Sequence, residues 1–274
     1  MRAAEAIAAA AQRLAGSSDT PRLDAELLMA HALGIEREAM LLSDQSMPAP
    51  AGFEALVQRR TAGEPIAYIV GRRAFWTIDL EVGPGVLIPR PDSETLIEAA
   101  IEHFGASAPS RVLDLGTGSG ALLLAALAQW PGAIGLGIDA SSIALGVAQA
   151  NAHRLGMANR AMFERGNWAT GLAETFDLIL CNPPYVEAQA ELPWDVVEWE
   201  PHEALFAGRD GLDAYHMLAP QLAPLIAPDG VACVEIGATQ EASAGALFAA
   251  QGLGVALRHD LAGRPRCLML RSPN

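Results

Sequence analysis

The tetrapeptide Asn182-Pro183-Pro184-Tyr185 closes an apolar run, Phe176 to Cys181. It lies downstream of the glycine-rich segment Asp114-Leu115-Gly116-Thr117-Gly118-Ser119-Gly120-Ala121. An Asn side-chain oxygen, carbonyls beside two rigid prolines and an aromatic ring can together hold a flat nitrogen group. The lone pair of an amide or exocyclic amine is delocalised. A site that uses it must take up the N–H hydrogens and pack the planar face, which is work of positioning and electrostatics. The chemistry these residue types point to is methyl transfer to a planar nitrogen.

The glycine segment is ambiguous when taken alone. Glycines between a strand and a helix let the backbone approach a ligand at the carboxyl ends of the strands. As G-x-G-x-x-A the segment fits a dinucleotide fingerprint, and as D-x-G-x-G-x-G it fits a loop for S-adenosylmethionine. Asp139, ending the next strand, is placed to accept hydrogen bonds from ribose hydroxyls and serves either cofactor. Asn167-Trp168 follows a third strand, where the ring can stack on adenine and the amide can meet its edge. Trp168 as an ordinary core aromatic is the rival reading. The tetrapeptide separates the two cofactors, since hydride transfer has no use for it. The plain alternatives are a tight glycine turn without a ligand and a chance Pro-Pro turn after a strand. Beyond the tetrapeptide, Glu187 to Glu203 holds Glu187, Glu191, Asp195, Glu198, Glu200 and Glu203 and no arginine. Such a run is a solvated face or a rim that attracts a basic protein partner.

The elements that must position these groups follow from periodicity. From Arg111 onward strands and helices alternate: Val112 to Leu115, a helix after Gly120, Ile134 to Ile138, a helix from Ser141 to Leu155, and a short strand near Met162. Then come Phe176 to Cys181, a helix around Tyr215 to Ile226 and a strand Val231 to Ile236, with Val255 to His259 and Cys267 to Arg271 as two further strands. This alternation predicts a mostly parallel sheet covered on both faces. Ahead of it, Ile78, Leu80 and Val82 alternate before Gly83-Pro84-Gly85, with Val86 and Ile88 beyond, which predicts a hairpin over Phe75 to Ile88 serving as a linker. The first seventy or so residues read as short helices. Thr20 is placed to cap, Pro21 suits a first turn, Leu23, Leu27, Leu28 and Leu33 form a stripe, and Gly34 stops the helix. A second helix is expected over Gly52 to Ala62. This part carries no chemistry-bearing cluster and reads as a docking or substrate-orienting module.

Bulk properties narrow the class. A chain of 274 residues can bury a sizeable core. No apolar run approaches the roughly 20 residues of a membrane span. Ile7 to Ala11 is preceded by Glu5 and ended by Gln12 and Arg13, so it reads as an amphipathic helix, not a signal peptide. Cys181, Cys233 and Cys267 are odd in number and far apart, as in reduced core thiols of a cytoplasmic protein. The six histidines lack zinc-binding spacing, so no metal is expected. Net charge is −14, and all 18 basic residues are arginine. Residues 81–274 carry 10 Arg against 22 acids, a poor surface for nucleic acid, which is bound through clustered Lys and Arg. A monomer is the default.

With these residues in view, nearly the whole chain resembles the release-factor glutamine methyltransferase family (PrmC/HemK). The resemblance extends to Gly63-Glu64-Pro65, Tyr68, Gly71, Phe75-Trp76 and Leu87-Ile88-Pro89-Arg90-Pro91-Asp92-Ser93-Glu94, which match the family's linker. Glu200-Pro201, Ala204-Leu205 and Asp210-Gly211-Leu212 also match. It implies an α/β, Rossmann-like class I S-adenosylmethionine-dependent methyltransferase with a seven-stranded sheet. The implied boundaries are an N-terminal helical domain over 1–72, a β-hairpin linker over 73–90 and a methyltransferase domain over 91–274. The implied cofactor residues are Gly116, Thr117, Gly118, Ser119, Gly120, Asp139, Asn167, Trp168 and Asn182. Asn182, Pro183, Pro184 and Tyr185 are the implied glutamine-holding residues, with Asn182, Pro183 and Tyr185 catalytic.

The implied reaction is direct displacement, in which a glutamine amide nitrogen takes the sulfonium methyl and S-adenosylhomocysteine leaves. Its substrate is the glutamine in the Gly-Gly-Gln motif of class I peptide-chain release factors. Two departures stand out: Asn167 occupies a position often acidic in relatives, which bears on cofactor affinity, and Ser93 replaces a usual Thr. The alternatives are a glutamine of a ribosomal protein, an amino-directed DNA or RNA methyltransferase, and a non-catalytic cofactor-binding scaffold.

Overall fold

The computed structural model describes residues 1–44 and 46–272, which form two compact units. One comprises Met1–Arg72, Val82–Pro84 and Leu192–Glu200, and the other holds the remaining described residues.

The first unit is helical: α1 (Ala3–Leu14), α2 (Pro21–Leu33), α3 (Arg37–Leu42), α4 (Phe53–Thr61), α5 (Ile66–Val70) and, from far down the chain, α9 (Trp194–Trp199). Helix α1 buries Ala3, Ala6, Ile7, Ala10 and Leu14, a helical repeat that packs against Leu28, Met29, Phe53 and Val57. Pro21 opens α2, and Gly34 ends it in the left-handed conformation at φ +69°. The expected Leu stripe is rotated, however. Leu28 is buried, Leu27 and Leu33 are half-buried and Leu23 is exposed, while Asp24 and Glu26 face inward. Arginine partners make this possible. Arg60 Nε lies 2.8 Å from Asp24, and Arg22 and Arg37 both hold Glu26 at 2.6 Å. Thr20 does not cap the helix backbone, because its hydroxyl donates to Asp24 instead, at 3.2 Å.

The second unit begins at Arg73, within a two-stranded sheet of β1 (Arg72–Phe75) and β2 (Ile78–Glu81). Its turn is Trp76-Thr77, not Gly83-Pro84-Gly85, and residues 86–88 form no strand. A two-residue connection needs a positive φ to match the strand twist. Trp76 supplies it at +53°, with its N–H fixed 2.8 Å from Glu94 Oε1.

A seven-stranded sheet follows: β3 (Arg111–Leu115), β4 (Ile134–Asp139), β5 (Ala161–Arg165), β6 (Phe176–Cys181), β7 (Ile226–Glu235), β8 (Gly254–His259) and β9 (Pro265–Arg271). The order is β5-β4-β3-β6-β7-β9-β8. The first five strands are parallel, while β9 runs antiparallel to both β7 and β8. The remaining helices are α6 (Glu94–Phe104), α7 (Ala121–Gln129), α8 (Ser142–Arg154), α10 (Asp213–Leu222) and α11 (Glu241–Ala249). The central strands are unbroken apolar runs because helices cover both faces, and Leu113, Leu115, Ile179 and Val234 are fully buried.

Register then fixes the site. Leu115 pairs with Ile138 on one side and Cys181 on the other. The ends of β3, β4 and β6 are therefore level, at the point where strand order reverses and a crevice opens. Among the described residues no helix is long and apolar enough to cross a membrane, and no group of three or more His, Cys, Asp or Glu side chains could hold a metal. The three cysteines are buried and unpaired.

Candidate active site

The loop after β3 is held by its neighbour strand. Gly116 and Thr117 N–H groups both donate to the Ile138 carbonyl, at 2.8 and 3.0 Å, and Gly118 N–H donates to Asp139 Oδ2 at 2.9 Å. Gly116, Gly118 and Gly120 have φ of +73°, +57° and +84°, a backbone path that only glycine follows without strain. Asp139 Oδ1 accepts from Ser141 N–H at 2.8 Å, at the start of α8. A carboxylate has about four acceptor positions, so two remain for ligand hydroxyls.

Behind the loop sits Asp114, 1% exposed. Its Oδ2 accepts from the Thr117 hydroxyl at 2.6 Å and Leu123 N–H at 3.2 Å, while Oδ1 has no partner. Burial pushes this carboxyl up to about 7, against the pull of those two hydrogen bonds. Asn151, fully buried on α8, ties the loop to the hairpin. Its Nδ2 donates to the Ser119 and Glu81 carbonyls at 3.0 Å each, and its Oδ1 accepts Glu81 N–H at 2.7 Å.

The loop opens onto a cavity of about 480 Å³, within the range of small-ligand sites. Its wall brings together Gly116, Thr117, Gly118, Ser119, Asp139, Asn167, Trp168, Asn182 and Pro184. Trp168 stands between the core and the cavity. It packs on the sheet core and also faces the cavity, with its ring 3.5 Å from where a Cβ on Gly116 would stand. Its φ of +52° is unusual for an aromatic residue, and backbone strain of this kind gathers at functional sites. Three expected residues do not line the cavity. Gly120 caps α7, where an added Cβ would meet Leu124 and Ala148, Pro183 is buried, and the half-buried Tyr185 packs on the core.

Asn182 follows β6 directly. Its Nδ2 donates to the Ser93 hydroxyl at 3.0 Å, which leaves its oxygen for a ligand. Tyr185 donates through its hydroxyl to Glu235 Oε1 at 3.2 Å, and its carbonyl accepts from Gln240 Nε2 at 3.0 Å. Gly211 lies against that same carbonyl, which is 2.3 Å from where a Cβ on Gly211 would stand. This is a physical reason for glycine in Asp210-Gly211-Leu212. Glu235, 0% exposed, ends β7. Burial pushes it up to about 7, opposed by Ser93, by Arg266 (its Nη1 4.0 Å away) and by Tyr185. Burial and the charge of Glu235 push the Tyr185 hydroxyl up, so it stays a proton donor.

Sequence reasoning missed Asn151, Glu235 and the roles of Ser93 and Gln240. A carboxylate closing the apolar run Val231 to Val234 at the ligand end of a parallel strand was the available signal for Glu235. The start of α8, including Ser141 and Ile143, also lines the cavity, as do Leu87, Pro89, Pro201, Glu203 and Ala204. The acidic run is not one solvated face. Glu187, Glu191, Glu198 and Glu203 are exposed, whereas Glu200 is buried and Asp195 lies 3.4 Å from Arg60 Nη1.

The residues fit S-adenosylmethionine. A glycine cradle that a Cβ would fill, a bare Asp114 oxygen beneath it, and acceptor capacity on Asp139 and Asn182 suit a ligand with an ammonium and hydroxyls.

Comparison with known proteins agrees with this geometry. Residues 5–71 match the PrmC N-terminal domain model, and residues 92–199 match the methyltransferase small domain. The release factor glutamine methyltransferase of Rhodospirillum rubrum is 45% identical over 92% of this chain and 79% of its own length. That of Cereibacter sphaeroides is 43% identical over 100% of this chain and 99% of its own. A methyltransferase structure from Pyrococcus furiosus shares the fold, with TM-score 0.55 and 16% identity, covering 80% of this chain and 98% of the other. Identity at this level over nearly the whole length, together with the match to the PrmC N-terminal domain, shows that the chain belongs to the release factor glutamine methyltransferase family.

Proposed function

We propose that this S-adenosylmethionine-dependent release factor glutamine methyltransferase acts on the Gly-Gly-Gln glutamine of class I release factors through Asn182, Pro183 and Tyr185. It works in the cytoplasm as a monomer. The observation that carries this reading is the orientation of Asn182. Its NH₂ is engaged by Ser93, which leaves its oxygen free, and the residue lines the cavity beside the glycine loop.

When bound, S-adenosylmethionine supplies an electrophilic methyl group on a sulfonium. The chain's residues orient the other reactant. Asn182 Oδ1 and the Pro183 carbonyl accept the two amide hydrogens of the substrate glutamine, which turns its nitrogen lone pair toward the methyl group and stabilises positive charge developing there. Tyr185 packs beside the flat amide, held from behind by Glu235. Asp139 accepts from ribose hydroxyls, Trp168 stacks on the adenine, and Asn167 accepts from its amino group.

The test is methyl transfer from labelled S-adenosylmethionine to a purified class I release factor and to a copy with alanine in place of the Gly-Gly-Gln glutamine. A ribosomal protein and DNA serve as competitors. Label on the unaltered factor alone is expected, and Asn182→Ala should lower kcat on the order of a hundredfold while cofactor binding changes little. Near-normal turnover in that variant would remove Asn182 from the mechanism, and label on a competitor alone would move the substrate.

A further inference from the structure

The Asn182 amide can sit two ways round, and only one presents an acceptor to the substrate. Reversed, its NH₂ would meet the substrate NH₂, donor against donor. Ser93, 3% exposed, accepts from Asn182 Nδ2, so its own proton must point elsewhere. Glu235 is the carboxyl that a hydrogen bond from Ser93 lowers, with Oε1 taking the Tyr185 hydroxyl at 3.2 Å and Oε2 bare of any other partner. A carboxylate only accepts. One buried charge therefore bears on both ends of the tetrapeptide, on Tyr185 directly and on Asn182 by way of Ser93.

We propose that Glu235 is a positioning residue which, through the Ser93 hydroxyl, fixes the Asn182 amide with its oxygen toward the substrate. The proposal rests on the role given to Asn182 above. A protonated Glu235 donates to Ser93, Ser93 then donates onward, and the Asn182 oxygen turns away from the substrate. A carboxylate that fixes the tautomer of a catalytic histidine works by the same logic. The groups facing Glu235 are Tyr185 and Cys181 from β6 and the turn after it, Ser93 and Asp92 before α6, Arg266 and Cys267 on β9, and Tyr215 of α10 on its carbonyl. Together they leave it near 7, so the switch falls within the working range.

The experiment measures kcat against pH on the full chain with release factor, for the wild type, Ser93→Ala, Ser93→Thr, Glu235→Gln and Asn182→Ala. Melting temperature and S-adenosylhomocysteine binding serve as folding checks. The wild type should lose activity as pH falls through about 7. Ser93→Ala should lower kcat on the order of tenfold with little change in KM and should lose that acid limb. Ser93→Thr should restore both, and Glu235→Gln should be flat with pH. An unchanged acid limb and kcat in Ser93→Ala would overturn the relay, and if that variant does not fold, an acid limb retained in Glu235→Gln would do the same. Collapse of Asn182→Ala beside wild-type behaviour of the other variants removes only the relay. Normal turnover of Asn182→Ala removes the reading beneath it as well.

Discussion

Two pairs of buried carboxylates, one pair in each unit, are held in opposite ways. In the helical unit Asp24 accepts from Ser18, Thr20 and Arg60, and Glu26 is clasped by Arg22 and Arg37. Burial pushes Glu26 up, but the hydrogen bonds and charges of its two arginines outweigh this and hold it below the ordinary carboxylate range. In the sheet unit Asp114 and Glu235 each keep one bare oxygen and are driven up to about 7. Fully matched charge holds a shape. Half-matched charge buried behind the residues that line a cavity is poised to change its proton. The contrast is between carboxylates that hold a shape and carboxylates beside the site; Asp260 of the sheet unit, lowered by hydrogen bonds from Arg264, belongs with the first.

The largest effect that could break this contrast is expected at Arg60. It also serves the Gly63 and Glu64 carbonyls and Asp195, so Arg60→Met leaves Asp24 buried and without its cation. A loss of about 3–5 kcal/mol in chemical denaturation is expected, and a neutral result would mean that the ion pair does not hold this unit together. In the sheet unit, Asn151→Ala strands the Glu81 N–H, with an expected loss of about 2 kcal/mol and weaker binding of S-adenosylhomocysteine as the loop loosens.

The next effect is a difference of sign with pH. A carboxyl raised in the fold binds its proton more readily there than in the unfolded chain, so its contribution to stability falls as pH climbs from about 4.5 toward 7. Glu235→Gln should therefore gain roughly 2–3 kcal/mol on the wild type across that window. Glu26 is lowered, so its contribution holds at neutral pH and disappears as pH drops through its folded value. Glu26→Gln should flatten that acid limb. Melting curves at stepped pH check both slopes, and slopes of equal sign would erase the distinction. The smallest effect is expected at Arg13, whose partner Glu54 is exposed like itself. Arg13→Ala should cost less than about 1 kcal/mol, and less still in high salt.

Periodicity carried much of the sheet unit because its strands are buried on both faces and so read as apolar runs. It failed where long-range partners decide. Leu23 lies outward and Asp24 inward because Arg60, 36 residues away, supplies the partner. The hairpin turn fell at Trp76 because Glu94 fixes its N–H. Helix α11, flanked by Gln240 and Ala250, carries no strong terminal signal and went unread, as did α6 although Ser93 precedes it and Gly105 ends it. The glycine loop, Asp139 and Asn182 were visible because their roles depend on residue type close to a strand end. Ser93 and Glu235 were not, because their part depends on packing between segments far apart in the chain.

Sequence by itself determined the class of chemistry and the elements that carry it, since a glycine loop after one strand and Asn-Pro-Pro-Tyr after another are local patterns. Only the tertiary structure decided which way Asn182 presents its amide and which buried carboxylates lack a partner. The physical reason is that hydrogen-bond direction and desolvation are set by neighbours in space. The segments around residues 93, 182, 235 and 266 meet only once the sheet is assembled.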